Sequence, residues 1–138
     1  MTRAPTLSAD RGGMKHSSAH YPGRAPIDAY GNGGFRFAGM SHRGSLVCLP
    51  SGIYGWAVAR PEEITLEALA QVLAELSAPA FLLLGTGRAQ VFPPPDVRRT
   101  FLEARIGLDP MDTGAAARTY NVLLAERRPV AAALIAVE

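Results

Sequence analysis

Two short, uninterrupted apolar runs constrain the fold of this chain more than any other feature. They cover residues 81–84 (FLLL) and 130–136 (VAAALIA). Strands without polar alternation are typical of sheets that are covered on both faces, as in α/β proteins. Both runs are far shorter than the about 20 residues that a membrane helix needs. The sequence therefore predicts a layered α/β domain with buried central strands and no membrane span.

The first half of the chain predicts an antiparallel β meander. Alternating or β-rich segments occupy residues 27–30, 35–37, 45–49 and 53–58. Glycine-rich stretches at 31–34 and 39–44 separate them, and glycine accepts the positive φ angles of tight turns. We expect ordered structure to begin at Ile27.

The second half predicts three helices that alternate with three strands. Thr65 is a candidate N-cap for a helix to about residue 76, and Pro94 and Pro95 open a second helix whose Phe101 and Leu102 face inward. A third helix begins at Asp112 or Thr113 and ends near residue 126. Buried strands are predicted at 81–84, 106–111 and 130–136. This order predicts a single three-layer α/β domain over residues 27–138, with a central mixed sheet behind the meander.

The charge distribution separates a leader from this domain. Residues 1–26 are rich in Gly, Pro, Ser and Arg without periodicity, which predicts a disordered leader. The whole chain has 14 Lys+Arg and 12 Asp+Glu. The leader holds four basic residues and one acidic residue, so the domain holds 14 − 4 = 10 basic and 12 − 1 = 11 acidic residues. A near-neutral domain lacks the electrostatic footprint of a nucleic-acid-binding protein.

Cysteine content and the leader predict the compartment. Cys48 is the single cysteine, which excludes an internal disulfide framework and a multi-cysteine zinc site. The leader has no apolar core of a secretory signal peptide. We expect a soluble cytoplasmic protein of bacterial type, or a mitochondrial one if the source is eukaryotic.

Groups suited to catalysis are scarce. His16 and His20 fall in the predicted leader, His42 is the one histidine of the predicted domain, and Lys15 is the only lysine. Ser41 and His42 lack an orienting acid at a usable spacing. The sequence therefore predicts no enzyme activity, no metal and no cofactor.

The triplet Gly85-Thr86-Gly87 follows a predicted buried strand and superficially resembles a dinucleotide loop. The spacing of that loop fails, because Gln90 stands where a third glycine is needed and no helix opens there. Two interpretations are open: a tight turn in which side chains would clash, or a nest of backbone N–H groups for a small anion.

A second loop, Met111-Asp112-Thr113, precedes the third helix. Asp112 and Thr113 are suited to capping that helix. Alternatively, Arg118 reaches back toward the start of this helix and holds an anion with Thr86 and Arg88, because loops at the carboxyl ends of parallel strands meet at one edge of a sheet. The predicted crevice comprises Gly85, Thr86, Gly87, Arg88, Asp112, Thr113 and Arg118.

Three segments together carry a family resemblance. They are residues 30–35 (YGNGGF), 81–87 (FLLLGTG) and 111–123, which begins MDT and continues through RTYNVL. In order and spacing they resemble the small domain-of-unknown-function family that includes mitochondrial complex I assembly factor three and the adipogenesis-associated Mth-type domain protein. The resemblance implies a compact three-layer β/α fold, no established enzyme activity, and a role of eukaryotic members in assembling respiratory complex I.

Two functional hypotheses from different classes follow. In the first, the domain is a non-enzymatic assembly or adaptor protein, possessing a surface for a protein partner and serving a membrane complex of the respiratory type. In the second, it binds or converts a small anionic ligand in the Gly85/Asp112 crevice. A filled crevice favours the first hypothesis, and an open pocket beside Arg88 and Arg118 favours the second.

Overall fold

The computed structural model describes residues 19–75 and 78–138. In chain order, the strands of this part are β1 (Ala19–Tyr21), β2 (Ile27–Gly31), β3 (Gly34–Phe37), β4 (Met40–Arg43), β5 (Ser45–Leu49), β6 (Gly52–Trp56), β7 (Phe81–Gly85), β8 (Gly107–Met111) and β9 (Val130–Leu134). The helices are α1 (Ala70–Leu73), α2 (Pro95–Glu103) and α3 (Thr113–Ala125), with a 3-10 turn at Pro61–Glu63.

A six-stranded mixed sheet forms the centre of the domain, in the order β1-β6-β5-β9-β7-β8. β7 pairs in parallel with both β8 and β9, whereas β5 pairs antiparallel with β6 and β9. The predicted mixed sheet is confirmed, and the two apolar runs of the sequence form the neighbouring inner strands β7 and β9.

Strand β5 shows why the sheet is covered on both faces. Leu46 and Cys48 pack with α3 and the strands β2 and β3 on one side. Val47 and Leu49 pack with α1 and α2 on the other. Every residue of β5 is buried, which is why apolar and polar residues do not alternate along its sequence. The three-layer architecture predicted from the sequence is confirmed.

A separate three-stranded antiparallel sheet, β2-β3-β4, lies on the α3 side of the central sheet. Phe35 and Phe37 are its buried anchors. Asn121 of α3 holds the edge strand β2, because its side-chain oxygen accepts from the Ile27 amide and its side-chain nitrogen donates to the Ile27 carbonyl, both at 2.8 Å. The inner face of this small sheet packs against α3 and the core, and its outer face is exposed.

The prediction that structure begins at Ile27 is wrong. Strand β1 at Ala19–Tyr21 pairs antiparallel with β6, and Arg24 donates a 2.7 Å hydrogen bond to the Val130 carbonyl. The composition of this segment hides the strand, since three residues show no periodicity and their position depends on pairing with β6 and on the packing of Tyr21 against the core. Residues 1–18 of the predicted leader lie outside the described residues.

The predicted single meander is divided between two sheets. β2, β3 and β4 form the small sheet, whereas β5 and β6 belong to the central sheet. The stretch 39–44 was predicted to be a turn, but it contains β4. The turns are confined to the two ends of this strand, where Gly39 and Gly44 have positive φ angles of 75° and 96°.

Three details of the second half also differ from prediction. The first helix is only the short α1, although the Thr65 hydroxyl does accept from the Ala68 amide at 3.1 Å. Leu102 faces outward and is 78% exposed, while Phe101 fills the inward position alone. Strand β8 was expected to be buried, but it lies at the edge of the sheet and is only partly covered.

Candidate functional site

The loops that follow β7 and β8 meet at one edge of the central sheet. The Thr86 amide donates to the Met111 carbonyl at 2.9 Å, and the Thr113 amide donates to the Gly87 carbonyl at 2.8 Å. This contact follows from the parallel register of the two strands, in which Gly85 lies opposite Met111. The sequence-predicted convergence of these two loops is therefore present in the structure.

Thr113 joins three segments through one hydroxyl. Its oxygen accepts from the Gly87 amide at 3.0 Å and donates to the Ile135 carbonyl at 2.7 Å. The side chain is fully buried. Both bonding functions of the hydroxyl are used within the protein, so none is directed toward a ligand.

Thr86 closes its own loop in the same way. Its hydroxyl donates to the Ala89 carbonyl and accepts from the Val91 amide at 3.0 Å. Little space remains nearby, because a Cβ atom at Gly85 would lie 3.0 Å from a Leu134 methyl carbon and 3.1 Å from the Thr113 Cα. Protein atoms therefore fill the space beside Gly85, whereas the position that a Cβ atom on Gly87 would take is open.

The charged members of the predicted crevice lie around its outside. Asp112 caps α3, since its carboxylate accepts from the Ala115 amide at 2.9 Å. Arg88 and Arg118 are exposed. Arg118 extends to Tyr30 of β2, donating to its hydroxyl at 3.2 Å. A ligand-binding role for the seven residues stays a prediction.

Tyr30 leads to a surface cavity that the sequence analysis missed. The cavity has a volume of about 470 Å³ and lies on the small sheet. Its lining combines glycines and other small residues with two arginines and several hydrogen-bonding side chains: Ala29, Tyr30, Gly31, Asn32, Gly34, Phe35, Arg36, Ser41, His42 and Arg43. The glycines of this stretch were interpreted only as turn formers, and β4 was not predicted, so the two arginines were never placed on one surface.

The electrostatics of this cavity are those of an anion site. No Asp or Glu belongs to its lining. Within residues 19–75 and 78–138, neither Arg36 nor Arg43 has a carboxylate within 4.0 Å. Glu138 stands at the rim: its carboxylate and the Arg43 guanidinium lie 3.5 and 3.8 Å from the position that a Cβ atom on Gly33 would take.

A histidine pair joins β1 to β4. The rings of His20 and His42 have centroids 4.5 Å apart and planes tilted by 58°. Burial lowers the pKa of both imidazoles, and the charge of His42 lowers that of His20 further. His20 was predicted to lie in a disordered leader, and that placement is wrong. In the described part of the chain, no cluster of three His, Cys, Asp or Glu side chains is suited to a metal ion.

The single cysteine is buried in the core next to Tyr120. Burial raises the pKa of Cys48 to about 12, although a side-chain hydrogen bond with Tyr120 opposes the shift. Burial also raises the pKa of the Tyr120 phenol. The thiol therefore stays protonated and unreactive at neutral pH.

Comparison with known proteins gives the family. The description "Protein of unknown function (DUF498/DUF598)" matches residues 27–135. The chain belongs to the DUF498/DUF598 family. The resemblance derived from the three sequence segments is thereby confirmed.

Relatives within this family come from bacteria and vertebrates. An uncharacterized protein of Rhodobacter capsulatus is 39% identical over 116 residues, covering 83% of this chain and 87% of the relative. A Xenopus tropicalis protein named NADH dehydrogenase [ubiquinone] 1 alpha subcomplex assembly factor 3 is 32% identical over 111 residues, or 79% of this chain. The matched part spans only 60% of that vertebrate protein.

Solved structures of DUF498/DUF598-like domains have the same fold. A crystal structure described as an outer membrane protein from Bartonella henselae is 58% identical, with a TM-score of 0.83, and covers 86% of this chain and all of that one. A solution structure of a Mth938-like domain from Bordetella pertussis is 32% identical, with a TM-score of 0.70, and covers 81% of this chain and 85% of its own. In the present protein, none of the helices among the described residues is long and apolar enough to cross a membrane.

Proposed function

We propose that this DUF498/DUF598 protein is a non-enzymatic assembly or adaptor factor that binds a protein partner and serves a membrane complex of the respiratory type. One observation carries the proposal. The loop pair at the carboxyl ends of β7 and β8, where an α/β fold usually places its ligand, is closed by its own hydrogen bonds through Thr86 and Thr113.

The chemistry of the remaining side chains supports the absence of catalysis. Cys48 is a buried thiol whose raised pKa of about 12 removes the thiolate needed for nucleophilic attack. The His42 ring packs against His20 and is hydrogen-bonded to the Ser45 carbonyl, so among the described residues no carboxylate orients it as a base. Lys15 is the only lysine of the chain.

The vertebrate relatives supply the type of partner. Proteins named complex I assembly factor 3 match over 79% of this chain in Xenopus tropicalis and 85% in mouse. Because the chain spans only 60 to 63% of those two proteins, the transfer of their role is part of the proposal. The proposed compartment is the cytoplasm of a bacterium, or the mitochondrion in a eukaryote.

The alternative, a small anionic ligand in the Gly85/Asp112 crevice, has less support. The donors expected to meet the anion include the backbone amides of residues 85–87 and the Thr86 hydroxyl, but the Gly87 amide donates to Thr113 at 3.0 Å and the Thr86 hydroxyl donates to the Ala89 carbonyl. Asp112 would oppose an anion by its own charge, and its carboxylate already caps α3.

Loss of the protein in its native host tests the proposal. We expect native gels of membranes from a deletion strain to show less assembled NADH dehydrogenase and more of its subcomplexes. Wild-type protein and the Arg88→Ala variant should both restore assembly, because Arg88 is exposed and has no catalytic role in this proposal. Unchanged assembly in the deletion strain would contradict the proposal. So would substrate turnover by the purified chain that Arg118→Ala abolishes without unfolding it.

A further inference from the structure

We propose that the cavity on the outer face of the small sheet binds an acidic segment of a partner protein, through ion pairs from Arg36 and Arg43 to two of its carboxylates. The inference rests on the proposed function in one respect only, namely that the protein binds another protein. Neither the family description nor the names of the relatives assign any site to this surface.

Strand register places the two arginines on one face. Arg36 of β3 lies opposite Ser41 of β4, and Arg43 follows two residues later along β4. Residues two apart on a strand project to the same side, so Arg36 and Arg43 are diagonal neighbours, about 7–8 Å apart at the backbone. This separation suits two carboxylates of one extended acidic segment.

Small residues create the space between these arginines. Gly34 lies opposite both Arg43 and Gly31, so that cross-strand row has only one side chain. In the next row, Arg36 stands between Ala29 and Ser41. Each row therefore contributes one long cationic side chain beside two small residues. The result is the cavity of about 470 Å³, large enough for side chains of a bound segment.

The neutral groups of the lining fit the same ligand. The hydroxyl of Ser41 and the amide of Asn32 are hydrogen-bond donors in the lining beside the two cations. Tyr30 lies opposite Phe35, and its hydroxyl accepts from Arg118 of α3, so that hydroxyl faces α3 rather than the two arginines. Arginine is a residue type that protein interfaces favour.

Two occupants other than an acidic segment are disfavoured by charge. Residues 1–18 contain Arg3, Arg11 and Lys15 against Asp10, a net charge of 3 − 1 = +2, so they do not complement two arginines. Glu138 at the rim brings one carboxylate near Arg43. This carboxylate lies more than 4.0 Å from the Arg43 guanidinium, so neither arginine is paired with it and both can pair with an acidic segment.

A direct binding measurement tests the site with the full chain. The probe is a fluorescein-labelled hexaglutamate peptide, followed by anisotropy at low salt, with a hexaglutamine peptide as the neutral comparison. The test variant is Arg36→Gln/Arg43→Gln. The matched control is Arg98→Gln/Arg99→Gln, which removes the same charge from exposed positions on α2, across the central sheet. Circular dichroism and thermal unfolding establish that both variants are folded.

We expect wild type and the α2 control to bind hexaglutamate and not hexaglutamine. The Arg36/Arg43 variant should bind about tenfold more weakly, since two partly screened ion pairs together supply that factor. Backbone amide resonances of Gly31, Gly34 and Ser41 should shift with the peptide in the wild type. Equal losses in the two double variants would overturn the site, because they would indicate non-specific attraction. So would no binding by the wild type, or inorganic phosphate shifting the same amides more strongly than the peptide at equal concentration.

Partner capture separates this inference from the proposed function. A wild-type chain used as bait should retain subunits of the membrane complex, and the Arg36/Arg43 variant should lose them while the α2 control keeps them. Capture by all three would refute the acidic-segment site and leave the adaptor role standing. Capture by none would count against the adaptor role itself, whatever the peptide measurement gives.

Discussion

The side-chain oxygen of Thr113 accepts a 3.0 Å hydrogen bond from the amide of Gly87, and both residues are buried. The same hydroxyl donates to the Ile135 carbonyl at 2.7 Å. One side chain thus ties the start of α3 to the loop after β7 and to the chain just beyond β9. These hydrogen bonds join two loops at the edge of the sheet where α/β proteins usually bind their ligands.

Replacing Thr113 with valine tests how much these hydrogen bonds contribute to stability. The substitution keeps the shape of the side chain but leaves the Gly87 amide and the Ile135 carbonyl without their partner. We expect the free energy of unfolding to fall by about 2–6 kcal/mol, since each of the two unsatisfied buried groups costs about 1–3 kcal/mol. Thr113→Ser keeps the hydroxyl and should lose only about 1 kcal/mol through the missing methyl group. Urea unfolding measures both; equal losses for the two variants would contradict the role of the hydroxyl.

The central strands should be sensitive to loss of side-chain volume. Leu83 of β7 is 2% exposed and packs against the α3 face of the sheet. We expect Leu83→Ala to lower the free energy of unfolding by about 2–5 kcal/mol, because it leaves a cavity in the core. Leu102→Ala on α2 is the matched control: its side chain is 78% exposed, so the change should stay within about 0.5 kcal/mol. Similar costs at the two positions would show that burial does not decide the effect.

Elements specified by their own residues were predictable from the sequence. The apolar runs identified β7 and β9, and Asp112 identified the start of α3, whose N-cap it is. Their burial and capping are local consequences of composition and spacing. The parallel pairing of β7 with β8 also followed, because alternating strands and helices allow few other topologies.

Features that depend on distant pairing were not predictable in this way. β1 has no apolar pattern, and its position depends on β6, more than 30 residues away along the chain. The cavity depends on Arg36 and Arg43 sharing a face, which requires β4 and its register with β3. A glycine-rich sequence indicates that a turn is possible, but the strand between two such turns is fixed only by its neighbour.

Chemical labelling tests the burial of Cys48. The side chain is fully buried, and its pKa is raised to about 12. We expect an aromatic disulfide reagent to react with the native protein at pH 8 at least roughly 100-fold more slowly than with the chain unfolded in guanidinium, because reaction must wait for the core to open. The chain has one cysteine, so the unfolded sample is its own control. Rapid labelling of the native protein would contradict a buried, protonated thiol.

The pair of His20 and His42 should make stability fall on mild acidification. Their pKa values lie below the ordinary 6.5, chiefly because both rings are partly buried. As pH falls through 6.5, the unfolded chain therefore binds protons before the native protein does, and this difference favours unfolding. The stability contributed by the neutral rings is complete above about pH 7 and is lost as pH falls from 6.5 through the lowered pKa values.

Urea unfolding between pH 5 and pH 8 measures this dependence. We expect the free energy of unfolding of the wild type to decline below pH 6.5, and that of His20→Gln/His42→Gln to stay nearly level. Glutamine retains a side-chain N–H for the Ser45 carbonyl, to which His42 is now bonded at 3.1 Å. Glu63, whose pKa is lowered from 4.5 by hydrogen bonds from the Ala59 and Arg60 amides, titrates below this window and does not contribute. If the free energy of unfolding of the double variant declined as much as that of the wild type, groups other than the two histidines would be responsible.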